Sequence, residues 1–185
     1  MMFEKFLAKR KVRLFLISFV IGMCVTSALR VYSKEIVEGI SNSVVRLHIV
    51  ANSNSDDDQA LKLKVRDEVI KKLEPLLVNS KSTEETKNII RSNIALIEDE
   101  AEKTIKKYGY TYSVTADFDK FDFPTKVYEN TKFPKGKYDA LKIIIGKGDG
   151  QNWWCVLYPQ LCFDHSKAGV LSKDSDTRLK NVLTY

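Results

Sequence analysis

Reactive side chains are few in this chain and they are concentrated. Two of its three cysteines, Cys155 and Cys162, fall within Q-N-W-W-C-V-L-Y-P-Q-L-C-F (Gln151 to Phe163), together with both tryptophans, Trp153 and Trp154. His165 lies two positions later, and His48 is the other histidine. A thiolate beside an imidazole is the nucleophile and base of cysteine hydrolases, so Cys155 or Cys162 with His165 is the first chemistry to weigh. No nucleophile elbow or other hydrolase signature surrounds any serine or cysteine. The same three residues are zinc-type ligands, but a fourth is not evident and C-x6-C-x2-H is not a usual zinc spacing. We expect no catalytic centre, no metal and no cofactor.

A disulfide is the better reading of the two cysteines. On one straight strand their Cα atoms would lie more than about 20 Å apart, outside bridging range. A tight turn at Pro159 would reverse the chain and bring them to about 5 Å. Two reduced thiols in a core are the competing account, because buried cysteine behaves as a small hydrophobe. The tryptophans also have two readings. They close a core as a buried hairpin, or they supply contact area to another protein, where Trp and Tyr are favoured. Strand parity places Trp153, Cys155 and Leu157 on one face and Trp154, Val156 and Tyr158 on the other. One tryptophan should sit under helices while its neighbour faces away from them.

Elements to position this stretch are legible upstream. Val44 to Asn52 alternates, with Val45, Leu47, Ile49 and Ala51 on one side and Arg46 and His48 on the other, which predicts a half-buried strand. N-S-N-S-D-D-D-Q then runs into a helix, with Ser55 and Asp58 at capping-box spacing. Its triple Asp lacks the alternating pattern of a calcium loop. Leu61, Val65, Val69 and Leu73, joined by Ile70 and Leu76, form the buried stripe of that helix, and Pro75 and Asn79-Ser80 end it. Ser82 with Glu85 opens a second helix, buried through Ile90, Ile94, Ile97, Ala101 and Ile105 and ended by Gly109.

Strands come next: Tyr110 to Phe118, then Thr125 to Glu129 after a bend at Phe121–Pro124. A turn at Phe133–Gly136 leads to Tyr138–Ile145. Gly146, Gly148 and Gly150 read as a hairpin turn into Asn152–Tyr158 rather than a phosphate loop, since no capped helix comes after them. Beyond Phe163, residues 164–185 predict a loose tail or a short final helix. The fold expected is α+β: a mixed or antiparallel sheet of about five strands with two amphipathic helices packed on one face.

Charge assigns the N-terminus a separate role. Of 30 basic and 24 acidic residues, six basic and one acidic lie in positions 1–30, leaving 24 and 23 beyond. The remainder is nearly neutral, which argues against nucleic acid as a partner. A basic start to Arg13 precedes the apolar run Leu14 to Leu29, whose ~24 Å of helix falls short of a ~30 Å hydrocarbon core. This favours a signal peptide with cleavage after Ala28; uncut, Val12 to Val31 could anchor the chain in a membrane, with Arg13 and Arg30 at the interfaces. In both cases the chain beyond position 31 is expected to be exported. Met23 before Cys24 is too large for a lipidation motif. The organisation predicted is a signal or anchor at 1–31, a juxtamembrane linker at 32–43, an exported domain at 44–163 and a tail at 164–185.

Two long motifs then give a family likeness. V-V-R-L-H-I-V-A-N-S-N-S-D-D-D-Q-A-L-K-L-K-V-R-D (44–67) and N-W-W-C-V-L-Y-P-Q-L-C-F (152–163) resemble the stage II sporulation protein R family of endospore-forming Firmicutes, over about Val44 to Phe163. The resemblance implies a signalling protein, not itself a protease, exported between forespore and mother cell. There it would activate the membrane-embedded aspartic peptidase that processes pro-sigma-E. Both motifs are unusual for packing alone, so the contact surface is expected at Asn52, Ser53, Asn54 and Asp56 and at Trp153, Trp154 and Tyr158. Readings from other classes are an exported cysteine-dependent peptidase or cell-wall hydrolase, and an exported wall- or peptide-binding module.

Overall fold

The computed structural model describes residues 2–128 and 131–163. The expected tail at 164–185, with His165, lies outside them, as does the last residue of the strand expected at Thr125–Glu129. The chain divides into two units, Met1–Gly39 and Ile40–Tyr185.

Helix α1 (Met2–Asn42) accounts for the first unit and continues three residues into the second. From Lys11 it is long and apolar enough to cross a membrane by length and composition, and Leu14, Phe15, Phe19, Ile21 and Leu29 are all exposed. It runs on through the stretch expected as a linker. There Lys34 and Glu38 pair at 3.6 Å one turn apart, and the Ser43 hydroxyl donates to the Ile40 carbonyl at 2.8 Å near its end.

The second unit holds β1 (Val45–Val50), α2 (Asp56–Leu77), α3 (Thr83–Ser92), α4 (Ile94–Lys107), β2 (Val114–Phe123), β3 (Lys126–Tyr128), β4 (Thr131–Phe133), β5 (Gly136–Ile145) and β6 (Asn152–Tyr158). Four strands form a mixed sheet in the order β2-β5-β1-β6, with β1 and β5 parallel and the other pairs antiparallel. β3 and β4 form a separate hairpin. The fold is α+β, with four strands and a two-stranded ribbon in place of about five strands in one sheet.

Both helix starts expected from the sequence are capped. Ser55 accepts from the Asp58 amide at 3.2 Å, with Asp56, Asp57 and Asp58 in the positive first turn. Ser82 accepts from the Glu85 amide at 3.1 Å. The second predicted helix is interrupted at Asn93, whose backbone (φ −117°, ψ 13°) leaves helical geometry. Its side chain donates to the Ile89 carbonyl at 2.8 Å, so three helical segments cover the sheet where two were predicted. Asparagine competes for backbone groups in this way, and the apolar period on either side hides the break.

Other differences concern the strands. β2 starts at Val114 because its partner β5 ends opposite it at Ile145, so Tyr110 and Tyr112 have no strand to pair with. It runs through the predicted bend to Phe123, which lies opposite Gly136. The Gly146–Gly150 segment is no hairpin turn either. β5 and β6 lie on opposite sides of β1, so this segment crosses the end of β1.

Each face of the sheet carries a core. On the helix side, Val45, Leu47 and Ile49 of β1 and Leu141, Ile143 and Ile145 of β5 pack with Leu61, Val65, Val69, Leu73, Ile97 and Ile105. An ion pair between the half-buried Lys87 of α3 and the buried Asp139 of β5, at 2.7 Å, ties a helix to this side. The opposite side gathers Val44, Phe123, Phe133, Tyr138, Ala140 and Val156, with Tyr128 of β3 and Trp154 against them. β1 is therefore buried along its whole length, not on one side as its alternation predicts.

Candidate functional site: strand β6 and the loop that frames it

β6 pairs with β1 so that Leu47 faces Cys155, His48 faces Trp154 and Ile49 faces Trp153. The two tryptophans go to opposite sides of the sheet. Trp153 packs on the helix-side core, with the Arg66 guanidinium of α2 5.1 Å from its ring centre. Trp154 stacks on His48 with centroids 3.8 Å apart and planes 20° apart, and tilts against Phe123 at 4.6 Å. Tyr158 departs from the predicted alternation. An irregularity between Val45 and Arg46 sets Tyr158 opposite Val45 and Val156 opposite Arg46. One extra residue shifts everything beyond it to the other side. Tyr158 thus packs on the helix-side core, and its hydroxyl donates to the Lys81 carbonyl at 2.9 Å.

The chain then turns back, and Cys155 and Cys162 form a disulfide with Cα atoms 6.0 Å apart. Leu161 N–H donates to the Val156 carbonyl at 3.2 Å, and Gln160 Nε2 reaches the Leu77 carbonyl. With both sulfurs bonded, neither cysteine offers the thiolate that a cysteine nucleophile requires. Cys24, free, sits in α1.

The Asn52–Asp58 loop closes over the start of β6. Asn52 Nδ2 and Ser53 Oγ donate to the Asp58 carboxylate at 2.8 and 2.6 Å. Burial pushes this carboxyl up, but hydrogen bonds from Ser53, Asn52, Tyr112 and Ser55 outweigh it and hold its pKa below the usual carboxylate value. The loop also grips the crossover. Asn52 Oδ1 accepts from the Lys147 amide at 3.0 Å, and Asn54 Oδ1 from the Gln151 amide at 2.8 Å. Gly146 has φ +57°, and a Cβ there would overlap the Asn52 carboxamide; at Gly150 a Cβ would overlap the Ser53 carbonyl. Lys62 of α2, nearly buried, donates to the Gln151 carbonyl at 2.9 Å.

Of the residues expected at a contact surface, Asn54 and Asp56 are exposed, and Trp153, Trp154 and Tyr158 are half-buried. The side chains of Asn52 and Ser53 are engaged inside the loop. Among the described residues no group of three or more His, Cys, Asp or Glu gathers as metal ligands would.

Two residues that the sequence placed on a polar face prove to be buried. The Arg46 guanidinium is 0% exposed and lies 4.1 Å from the Phe123 ring centre and 4.8 Å from that of Tyr138. Its Nη2 donates to the Tyr128 hydroxyl at 3.2 Å, and burial lowers its pKa. Aromatic faces partly replace water around a guanidinium, which is weakly hydrated to begin with. Only Tyr138 comes from a strand next to β1; Phe123 reaches Arg46 from β2, beyond β5, and Phe133 from the separate hairpin, so no local signal marks this burial.

His48 Nε2 lies 2.7 Å from Asn152 Oδ1. Burial depresses its pKa from 6.5 to about 4, against the raising effect of Asn152, with Lys142 and Arg46 lowering it further. His48 is therefore neutral in the fold. The unfolded chain binds the proton more readily, so this contribution is complete above pH 6.5 and is lost as pH falls toward 4. The interval bounds it at about 3 kcal/mol, and solvent at the ring edge lowers that toward ~2. Urea midpoints measured from pH 7 to 4.5 should show this loss in the wild type, and a His48→Gln chain should lack that part of it. Equal slopes for the two would remove His48 as the cause.

The geometry defines an α+β domain with a disulfide-closed tryptophan strand at its sheet edge, and in sequence it follows an apolar helix compatible with export or membrane anchoring. The family description stage II sporulation protein R matches residues 41–168. The stage II sporulation protein R of Bacillus subtilis (strain 168) is 44% identical over 138 residues, covering 74% of this chain and 62% of that protein. The chain belongs to the stage II sporulation protein R family and spans about 62% of the length of that curated relative. No solved structure matches it.

Proposed function

We propose that this protein is an exported sporulation signal, delivered between forespore and mother cell, that activates the membrane-embedded aspartic peptidase processing pro-sigma-E. Family membership carries the reading, since the matched region contains both motifs on which the resemblance rests. The apolar N-terminal helix agrees with export or anchoring at the membrane where such a peptidase sits. Bonding of Cys155 to Cys162 speaks against a cysteine peptidase. The reading makes this chain a ligand for the peptidase rather than a catalyst, with contact through exposed parts of the Asn52–Asp58 loop and of β6.

Production of this chain, the peptidase and pro-sigma-E together in a non-sporulating host tests it. Conversion of pro-sigma-E, tracked by immunoblot, should rise at least about tenfold when the full chain is present, a change equivalent to ~1.4 kcal/mol. Unchanged conversion would sink the reading. So would conversion that survives replacement of the peptidase's catalytic aspartate, because the chain would then be the protease.

A further inference from the structure

The sheet has two edges, β2 and β6, and they are finished differently. β2 carries Asp117, Asp119, Lys120 and Asp122 among its ten residues. Charges of this kind protect an edge from pairing with another chain. β6, N-W-W-C-V-L-Y, carries no charge at all, and Pro159 stands only beyond its end. An apolar edge without such protection is a liability unless something pairs with it.

Parity fixes what this edge offers. In an antiparallel pair, successive residues direct their N–H and C=O alternately toward the partner strand and away from it. The Val156 carbonyl points away from β1, since it accepts from Leu161 in the returning turn. Trp154 and Asn152, two and four residues earlier in unbroken register, direct their backbone groups outward as well. This makes His48 and Trp154 a non-hydrogen-bonded pair, the kind whose side chains approach most closely, in keeping with their stacking at 3.8 Å.

The surroundings narrow the occupant. Leu161 already engages the Val156 end. A second copy paired antiparallel about Trp154 would have to bring its Asn152 to that same place, so self-pairing is obstructed. A short segment along Asn152 to Trp154 meets no such obstacle among the described residues. On the helix side it would run beside Trp153 and Arg66, the latter paired with the exposed Asp67. On the other side it would meet Trp154, held in place by His48 and Phe123.

We infer that the outward edge of β6, at Asn152 and Trp154, is a strand-addition site for a short extended segment of a partner protein. Such a segment is apolar where it lies along Trp154 and acidic where it faces the half-buried Arg66 guanidinium, which it would share with Asp67. Main-chain hydrogen bonds supply affinity and alternate side chains supply specificity. The inference rests on the reading that the chain acts through a membrane peptidase and adds the place and manner of contact.

Amide hydrogen exchange on the full chain in detergent micelles, alone and with the intact peptidase, tests it. Exchange at Asn152 and Trp154 should be fast in the free chain and at least about tenfold slower in the complex, with the outward amides of β2 unchanged. A complex that leaves Asn152 and Trp154 unprotected overturns the site while sparing the functional reading. Protection of these amides in the free chain equal to that of Cys155 also overturns it, since the edge would already be covered. Failure of the two proteins to associate overturns both.

Discussion

Replacing Phe123 with alanine should destabilise the domain by about 3–5 kcal/mol, the range for removing a large aromatic from a packed core. Phe123 is 1% exposed and touches most of the second core at once. It lies under the Arg46 guanidinium at 4.1 Å, tilts against Trp154 at 4.6 Å, and meets Tyr138 and His48 edge-on at 5.6 and 5.9 Å. Its loss adds a second penalty to the cavity. Arg46 would keep its charge while losing the nearest of its aromatic faces, and a poorly compensated buried cation is costly. A truncation of similar size on the exposed edge of the domain should cost less than about 1 kcal/mol. Urea unfolding of the two variants beside the wild type is the measurement. A Phe123→Ala loss below about 1 kcal/mol would mean that the second face of the sheet is not a packed core.

Removing the Cys155–Cys162 bridge should lower stability by about 2–3 kcal/mol, because a loop of this length restricts the unfolded chain by roughly that amount. The double Cys155→Ala/Cys162→Ala chain and the reduced wild type should share a lowered urea midpoint, and the double variant should not respond to reductant. Free thiols detected by alkylation in protein purified under oxidising conditions would refute the bridge directly. Damage should stay local. Tyr158 and Gln160 still hold the turn to the Lys81 and Leu77 carbonyls, at 2.9 and 2.5 Å. The segment that loosens first should be Pro159–Phe163, which carries the Leu161 contact at the Val156 end of the β6 edge.

Period and capping determined much of this protein without any structure. The stripe Leu61–Val65–Val69–Leu73 and the caps Ser55 and Ser82 fix where helices begin and which side they bury, since both depend on residues within one or two turns. Parity likewise separates Trp153 from Trp154 correctly. It fails at Tyr158, because one extra residue in β6 opposite Val45 leaves no mark in composition. Asn93 is a similar case, a break inside an apolar period that continues on both sides of it.

Strand order belonged to the tertiary structure. Nothing local says that β1 inserts between β5 and β6, yet that insertion turns the Gly146–Gly150 segment from a hairpin into a crossover clamped by Asn52 and Asn54. It also takes Arg46 and His48 from an apparent solvent face into a second core. The family and the N-terminal apolar helix were legible because each is carried by contiguous residues. The charge-free edge of β6, the buried guanidinium and the neutral His48 were not, because each depends on which strands become neighbours. That choice is made by long-range packing, for which a sequence read along its length has no local signal.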